Sequence, residues 1–175
     1  MFQNYSFDGY DVIHIDWILP FQNETFQSYA FRISENMNDE NAILIGLSFG
    51  GMLSVEISKI KKFKKIFLLS SAKTKSEIPL YYRVLGKLNL LEIIPVSFLK
   101  SVNFLTYLVF GAKTNSEKNL LKDIVKNTES SFMKWALHQI INWKNKDFDR
   151  NIVHIQGNRD LILPHYFVKY DYLIE

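Results

Sequence analysis

The chain has 175 residues, 47% of them hydrophobic and 15% aromatic, which suits one folded domain with a sizeable core and excludes a disordered chain. Its formal net charge of +3 is too small to imply a nucleic-acid partner, and with no cysteine it has no disulfides, thiolate catalysis or cysteine-based zinc site. The N-terminus lacks the basic start and apolar run of a signal peptide, and the longest apolar stretch, near residues 104–110, is far shorter than a membrane span. A cytoplasmic protein is the expectation.

Taken in order, Asp11-Val12-Ile13-His14-Ile15 is short, rich in β-branched residues and reads as a buried strand. Residues 24–37 read as a helix, with Phe26, Tyr29, Ala30, Ile33 and Met37 on one face and Asn23 at the cap. Residues 42–45 form a second apolar strand that runs directly into a glycine-rich turn. Beyond the turn Leu53, Ile57 and Ile60 fall on one helical face, with Ser54, Ser58 and Lys61 largely off it. Lysines 59, 61, 62, 64 and 65 read as a solvated helix end, where positive charge suits the helix dipole, rather than as a phosphate site. Residues 65–69 are a third strand. Strand, helix, strand, helix, strand is the pattern of an α/β protein with a parallel sheet and crossover helices.

The alternation stops between residues 74 and 146, where only helical signals occur. Thr74-x-x-Glu77 and Thr114-x-x-Glu117 look like capping boxes, and Gly111 is placed to end a helix after Phe110. Pro79 and Pro95 punctuate the region. Phe132, Trp135, Ala136, Ile140 and Trp143 form an apolar stripe on a last helix. A strand at 152–155 follows, then a loop through Asp160, Pro164 at a helix start, and the beginning of another strand at 172–174.

The chemistry concentrates at Gly46-Leu47-Ser48-Phe49-Gly50-Gly51. A serine hydroxyl is a weak nucleophile unless held beside a base, and a sharp strand-to-helix turn presents it at the carboxyl edge of a sheet. Such a turn strains the serine and requires small neighbours at Gly46 and Gly50, while Gly51 lets the helix pack close to the strand. The Phe49 amide, at the positive end of the helix, stands where an oxyanion would develop. The turn lacks the Lys-Ser/Thr pair of a P-loop and the spacing of a dinucleotide fingerprint.

These residues, together with Ile66-Phe67-Leu68-Leu69-Ser70 and the stretch from His154 through Gln156-Gly157-Asn158-Arg159-Asp160 to Pro164, resemble the α/β-hydrolase superfamily from Asp11 to Glu175. The resemblance implies a nucleophile at Ser48, an oxyanion amide at Phe49 and a histidine-orienting acid at Asp160. It also implies a core of residues 1–72 and 147–175, and a helical cap of residues 73–146 between the third and fourth strands. Asp160 has a plainer reading as a loop carboxylate that caps the next helix or pairs with Arg159, and Asp147 and Asp149 are weaker candidates for the acid.

The family's histidine follows the last strand, and its second oxyanion donor follows a central strand between those of Val12 and Ile43. Neither feature is in the sequence, so a chain truncated at both ends is expected. Of the histidines present, His14 and His154 alternate with apolar residues in strands and read as structural. His138 lies off the aromatic stripe and reads as solvent-facing, and His165 is a remote substitute base. Tyr81, Tyr82, Phe98, Phe104, Tyr107, Phe110, Phe132, Trp135 and Trp143 could line an apolar pocket over Ser48 or simply pack on one another. The expected chemistry is hydrolysis of a small apolar ester or thioester through an acyl-enzyme, with no metal and no cofactor. Acyl transfer from the same site and non-catalytic binding are the alternatives.

Overall fold

Four apolar runs become four parallel strands, β1 (Ile43–Leu47), β2 (Lys65–Leu69), β3 (Ile152–Gly157) and β4 (Tyr172–Ile174), lying in the sheet in that order. The structure, a computed structural model, describes residues 7–88, 95, 100–103, 106–107 and 110–175. Register decides which side chains are buried. Leu44, Ile66 and Ile152 are aligned across β1, β2 and β3, as are Gly46, Leu68 and His154, and all six are buried on one face. Their neighbours Ile45, Phe67 and Val153 point to the other face and are half-buried.

The helices are α1 (Phe26–Ile33), α2 (Phe49–Ser58), α3 (Leu80–Lys87), α4 (Asn115–Asn127) and α5 (Ser130–Asn142), with 3₁₀ turns at Lys75–Glu77 and His165–Phe167. The unit β1–α2–β2 is a parallel crossover, and α2 lies against β1 and β2 on the buried face. α1 packs on α2, and α3 on α5. α2 departs from the one-sided helix read from its periodicity. It is buried all round from Gly51 to Ile57, Ser54 and Glu56 included, because the sheet, α1 and the Trp143 end of α5 enclose it. Glu56 tolerates this because Trp143 Nε1 donates to its Oε1 at 2.7 Å and Lys59 Nζ reaches its Oε2 at 2.8 Å.

Two other expectations change. Residues 11–15 form no strand: Val12, Ile13, His14 and Ile15 are all exposed. A strand exists only through a ladder, and among the described residues β1 is the sheet edge, with no neighbouring strand beside this segment. Three residues further on the chain is anchored by Tyr29, whose hydroxyl bonds both the amide and the carbonyl of Ile18. The first helix is also shorter than residues 24–37. Asn23 adopts a left-handed φ of 59°, Thr25 is the cap that accepts from the Ser28 amide at 3.1 Å, and Ser34 ends the helix by bonding the Phe31 carbonyl.

The second capping box is complete, with Thr114 and Glu117 bonding each other's amides. The first is a capping box too, with Glu77 accepting from the Thr74 amide at 3.3 Å, but it opens only a 3₁₀ turn, where the Thr74 hydroxyl also bonds Ser76. Gly111 does take a left-handed φ of 68°, with the Ala112 amide bonded to the Tyr107 carbonyl.

Candidate active site

Ser48 is the residue between β1 and α2, with φ 51° and ψ −119°. No L-residue adopts that conformation without strain, about 1–3 kcal/mol, so the surroundings must hold it. They do so by close approach. A Cβ on Gly46 would stand 2.5 Å from both the Gly50 carbonyl oxygen and Ser54 Oγ, and one on Gly51 would run into the Ser71 side chain. Strand and helix therefore meet closer than any side chain allows. Gly50 differs from the expectation: a Cβ there would meet only Trp17, at an ordinary 3.8 Å. The second obligatory glycine is Gly51.

Hydrogen bonds finish the clamp. The Ser48 amide donates to the Leu69 carbonyl at 2.9 Å, while its own carbonyl accepts from Gly51, Met52 and, at 2.7 Å, the Ser71 hydroxyl. The Ser48 side chain is left exposed, and its hydroxyl makes no hydrogen bond among the described residues. Phe49 follows as the first residue of α2, its amide at the positive end of the helix. Its ring is stacked on Phe26 at 5.1 Å and flanked by Trp17 and Phe132 at 5.6 and 6.2 Å, which immobilises the turn from the helix side.

Asp160 lies three residues past β3, at the same carboxyl edge of the sheet as Ser48 because the strands are parallel. Strands β1 and β3 are two ladder steps apart, about 10 Å, with the end of β2 between them. Asp160 Oδ1 accepts from the amides of Ile162 and Leu163 at 2.9 and 2.8 Å, and Oδ2 from Gln156 Nε2 at 3.1 Å. It thus ties its own loop, and it makes no ion pair with Arg159 among the described residues. Asp147 and Asp149 precede β3 and so stand at the opposite edge, where Asp149 bonds the Asn151 amide.

The histidines are dispersed. His154 is fully buried on β3, as expected of a structural residue; Nδ1 faces the Lys169 carbonyl at 3.2 Å and Nε2 accepts from the Ser71 amide at 3.4 Å. Burial first, and the nearby Lys73 charge second, push its pKa below the ordinary 6.5. His138 is exposed, as is His14, which sits in an irregular segment rather than a strand. His165 stacks edge-on with Tyr166 and Tyr170 and makes no hydrogen bond to Asp160 among the described residues.

The aromatic residues of the last helix pack on one another and on the core, and two of them, Trp135 and Trp143, also line a groove away from Ser48. Phe132, Trp135 and Trp143 pack with Phe26, Tyr29 and Phe49 in the core, and Trp135 Nε1 bonds the Glu24 carbonyl at 2.8 Å. Tyr81 and Phe110 are exposed, Tyr82 and Tyr107 half-buried, and Phe98 and Phe104 lie outside the described residues. A groove of about 570 Å³ between the start of α1 and α5 is lined by neither Ser48 nor Asp160. Ser71 and Trp17 were not legible as site residues. The only sequence signal for Ser71 is a small residue just past the strand that follows the elbow helix.

Among the described residues no helix is long and apolar enough to cross a membrane, and no group of three His, Asp or Glu could hold a metal ion. No family model matches the chain, and no curated protein matches it. Solved structures do. An alpha/beta hydrolase family protein from Desulfitobacterium hafniense superposes with a TM-score of 0.53 at 15% identity, over 85% of this chain and 65% of that one. An alpha/beta hydrolase enzyme from a Medee basin deep-sea metagenome library gives 0.51 at 10% identity, over 88% and 64%. The fold is that of an α/β-hydrolase. The likeness is one of fold, and the chain spans just under two thirds of the length of either α/β-hydrolase neighbour.

Proposed function

We propose that this chain carries the nucleophile and the acid of a serine hydrolase that cleaves small carboxylic esters through an acyl-enzyme on Ser48. The observation that carries the reading is the strained Ser48 backbone, maintained by two obligatory glycines and leaving at the carboxyl edge of the sheet a hydroxyl unbonded among the described residues. Strain of this kind persists only where its surroundings enforce it.

On this reading the Ser48 oxygen attacks the ester carbonyl, the carbonyl oxygen becomes an oxyanion facing the Phe49 amide, and the alcohol leaves as the acyl group joins Ser48. Water then releases the acid. Asp160 keeps a free lone pair on Oδ2 with which to orient an imidazole between itself and Ser48, the gap above β2 being wide enough for one ring. A histidine placed beyond β4 in the whole protein would enter that gap. The helical segment between β2 and β3 is the lid on this reading, and an apolar acyl group suits the aromatic surface of Trp17 and Phe49 beside the elbow. Thioesters and acyl transfer use the same steps with a different leaving group or acceptor.

The test is incubation with p-nitrophenyl butyrate, read by intact mass. Without a neighbouring base deacylation is the slower step, so a single butyryl adduct accumulates on wild type and is absent from Ser48→Ala. An adduct that persists in Ser48→Ala rejects the assignment.

A further inference from the structure

A second groove, of about 540 Å³, lies between the Thr74–Glu77 turn, the Asn145–Phe148 segment leading into β3 and the Phe167–Lys169 segment leading into β4. Neither Ser48 nor Asp160 lines it. Its charge is unusual. Lys75, Lys146 and Lys169 all line it, and Lys73, only 6% exposed, lays its ammonium 5.1 Å over the ring of Phe148, another lining residue. None of these four lysines has a carboxylate within ion-pair distance, for the ion pairs among the described residues are Arg32–Glu24 and Lys59–Glu56.

The one lining carboxylate, Glu77, is turned into the backbone. Its oxygens accept from the amides of Lys73 at 2.5 Å, Thr74 at 3.3 Å and Lys169 at 3.0 Å. Three lysines therefore line the groove against one carboxylate whose oxygens are already engaged. Ammoniums gathered without counter-charge repel one another, and an anion of two or more charges relieves that repulsion. Two phenyl rings, Phe148 and Phe167, supply an apolar wall beside the charges. The volume falls in the range of sites for small ligands, about 300–1,000 Å³.

We propose that this groove binds a nucleotide, its phosphates held by Lys75, Lys146 and Lys169 and its base laid against Phe148 and Phe167. A phosphate chain meets the clustered ammoniums, and a flat base meets the phenyl wall. The lysines gather round one groove instead of following a stripe, which favours a mononucleotide over a nucleic-acid strand. The site is independent of the Ser48 chemistry.

Isothermal titration of the full chain with ATP, adenosine and pyrophosphate tests this. ATP should saturate one site at least about tenfold more tightly than adenosine or pyrophosphate. The double variant Lys75→Glu/Lys169→Glu should lose about tenfold or more of that affinity, and Phe148→Ala a smaller part of it. Lys122→Glu, on exposed α4, and Ser48→Ala should bind as wild type. Should the double variant fail to fold, Lys75→Gln and Lys169→Gln singly carry the comparison. No saturation by ATP overturns the proposal, as does equal affinity in the lysine variants. Pyrophosphate binding as tightly as ATP would mark an anion surface with no base site, and an oligonucleotide binding far more tightly than ATP would mark a nucleic-acid surface; either also overturns it.

Discussion

The Ser71 hydroxyl donates a 2.7 Å hydrogen bond to the carbonyl oxygen of Ser48, so the second residue past β2 pins the strained first residue past β1. The same side chain fills the space that a Cβ on Gly51 would need. Ser71 thus acts on the elbow twice, through a hydrogen bond and through shape, and its own amide is held by His154 beneath.

The three glycines of the elbow should therefore respond differently to alanine. Gly46→Ala meets backbone at 2.5 Å, which cannot swing aside, and should lose about 2 kcal/mol or more of stability in urea denaturation. Gly51→Ala should also be costly, and part of its loss should return when combined with Ser71→Gly. Gly50→Ala meets only Trp17 at 3.8 Å inside a helix, so it should be neutral or gain up to about 1 kcal/mol. Equal losses at Gly46 and Gly50 would contradict the geometry.

Features written in local sequence were legible. The positions of β1 to β4, the turn at Ser48 and the loop of Asp160 follow from short apolar runs and the residues that interrupt them. Features that depend on distant partners were not. Residues 11–15 have the composition of a strand, yet a strand requires a neighbour, and none among the described residues lies beside them. The contact between Gly51 and Ser71 joins residues whose sequence neighbourhoods say nothing of each other. The aromatic stripe of α5 was correctly apolar, but only the fold shows that Phe132 and Trp135 meet Phe49, and that the groove Trp135 lines includes neither Ser48 nor Asp160.

Asp160 combines a structural and a proposed chemical role, and two substitutions separate them. Asp160→Ala removes the acceptor of the Ile162 and Leu163 amides and should cost about 1–2 kcal/mol. Asp160→Asn retains an acceptor oxygen and should cost clearly less. Both remove the negative charge that would orient an imidazole. In the whole protein, ester turnover should therefore fall by orders of magnitude in both variants, whatever their difference in melting temperature.

His154 should make stability depend on pH. Its folded pKa lies below 6.5 because burial and Lys73 disfavour the imidazolium. As pH falls below about 6.5 the unfolded chain takes up a proton that the folded chain refuses, so the contribution is complete above that value and is lost below it. Unfolding free energy should drop between pH 7.5 and 5.5, by at most about 1.4 kcal/mol per pH unit for this one group. His154→Asn should flatten the slope in that window; an unchanged slope would show that another group is responsible.

The buried carboxylate of Glu24 is held by Arg32, with bonds of 3.0 and 2.7 Å, and this contact draws its pKa below the usual carboxylate value. Arg32 also bonds the Leu19 carbonyl and covers the Phe21 ring at 4.1 Å, so it secures the segment that carries Trp17 to the elbow. Arg32→Ala strands a buried charge and should cost about 2–3 kcal/mol, reduced from the fully buried case because the arginine is partly exposed. Adding Glu24→Gln to that variant should recover part of the loss in denaturant titrations.

Covalent labelling by a fluorophosphonate, mapped by peptide mass spectrometry, tests Ser48 as the proposed nucleophile most directly. The prediction is a single adduct on the peptide that contains Ser48, formed slowly in this chain and absent from Ser48→Ala. Equal labelling of wild type and Ser48→Ala, or an adduct that maps to any other serine, would contradict it.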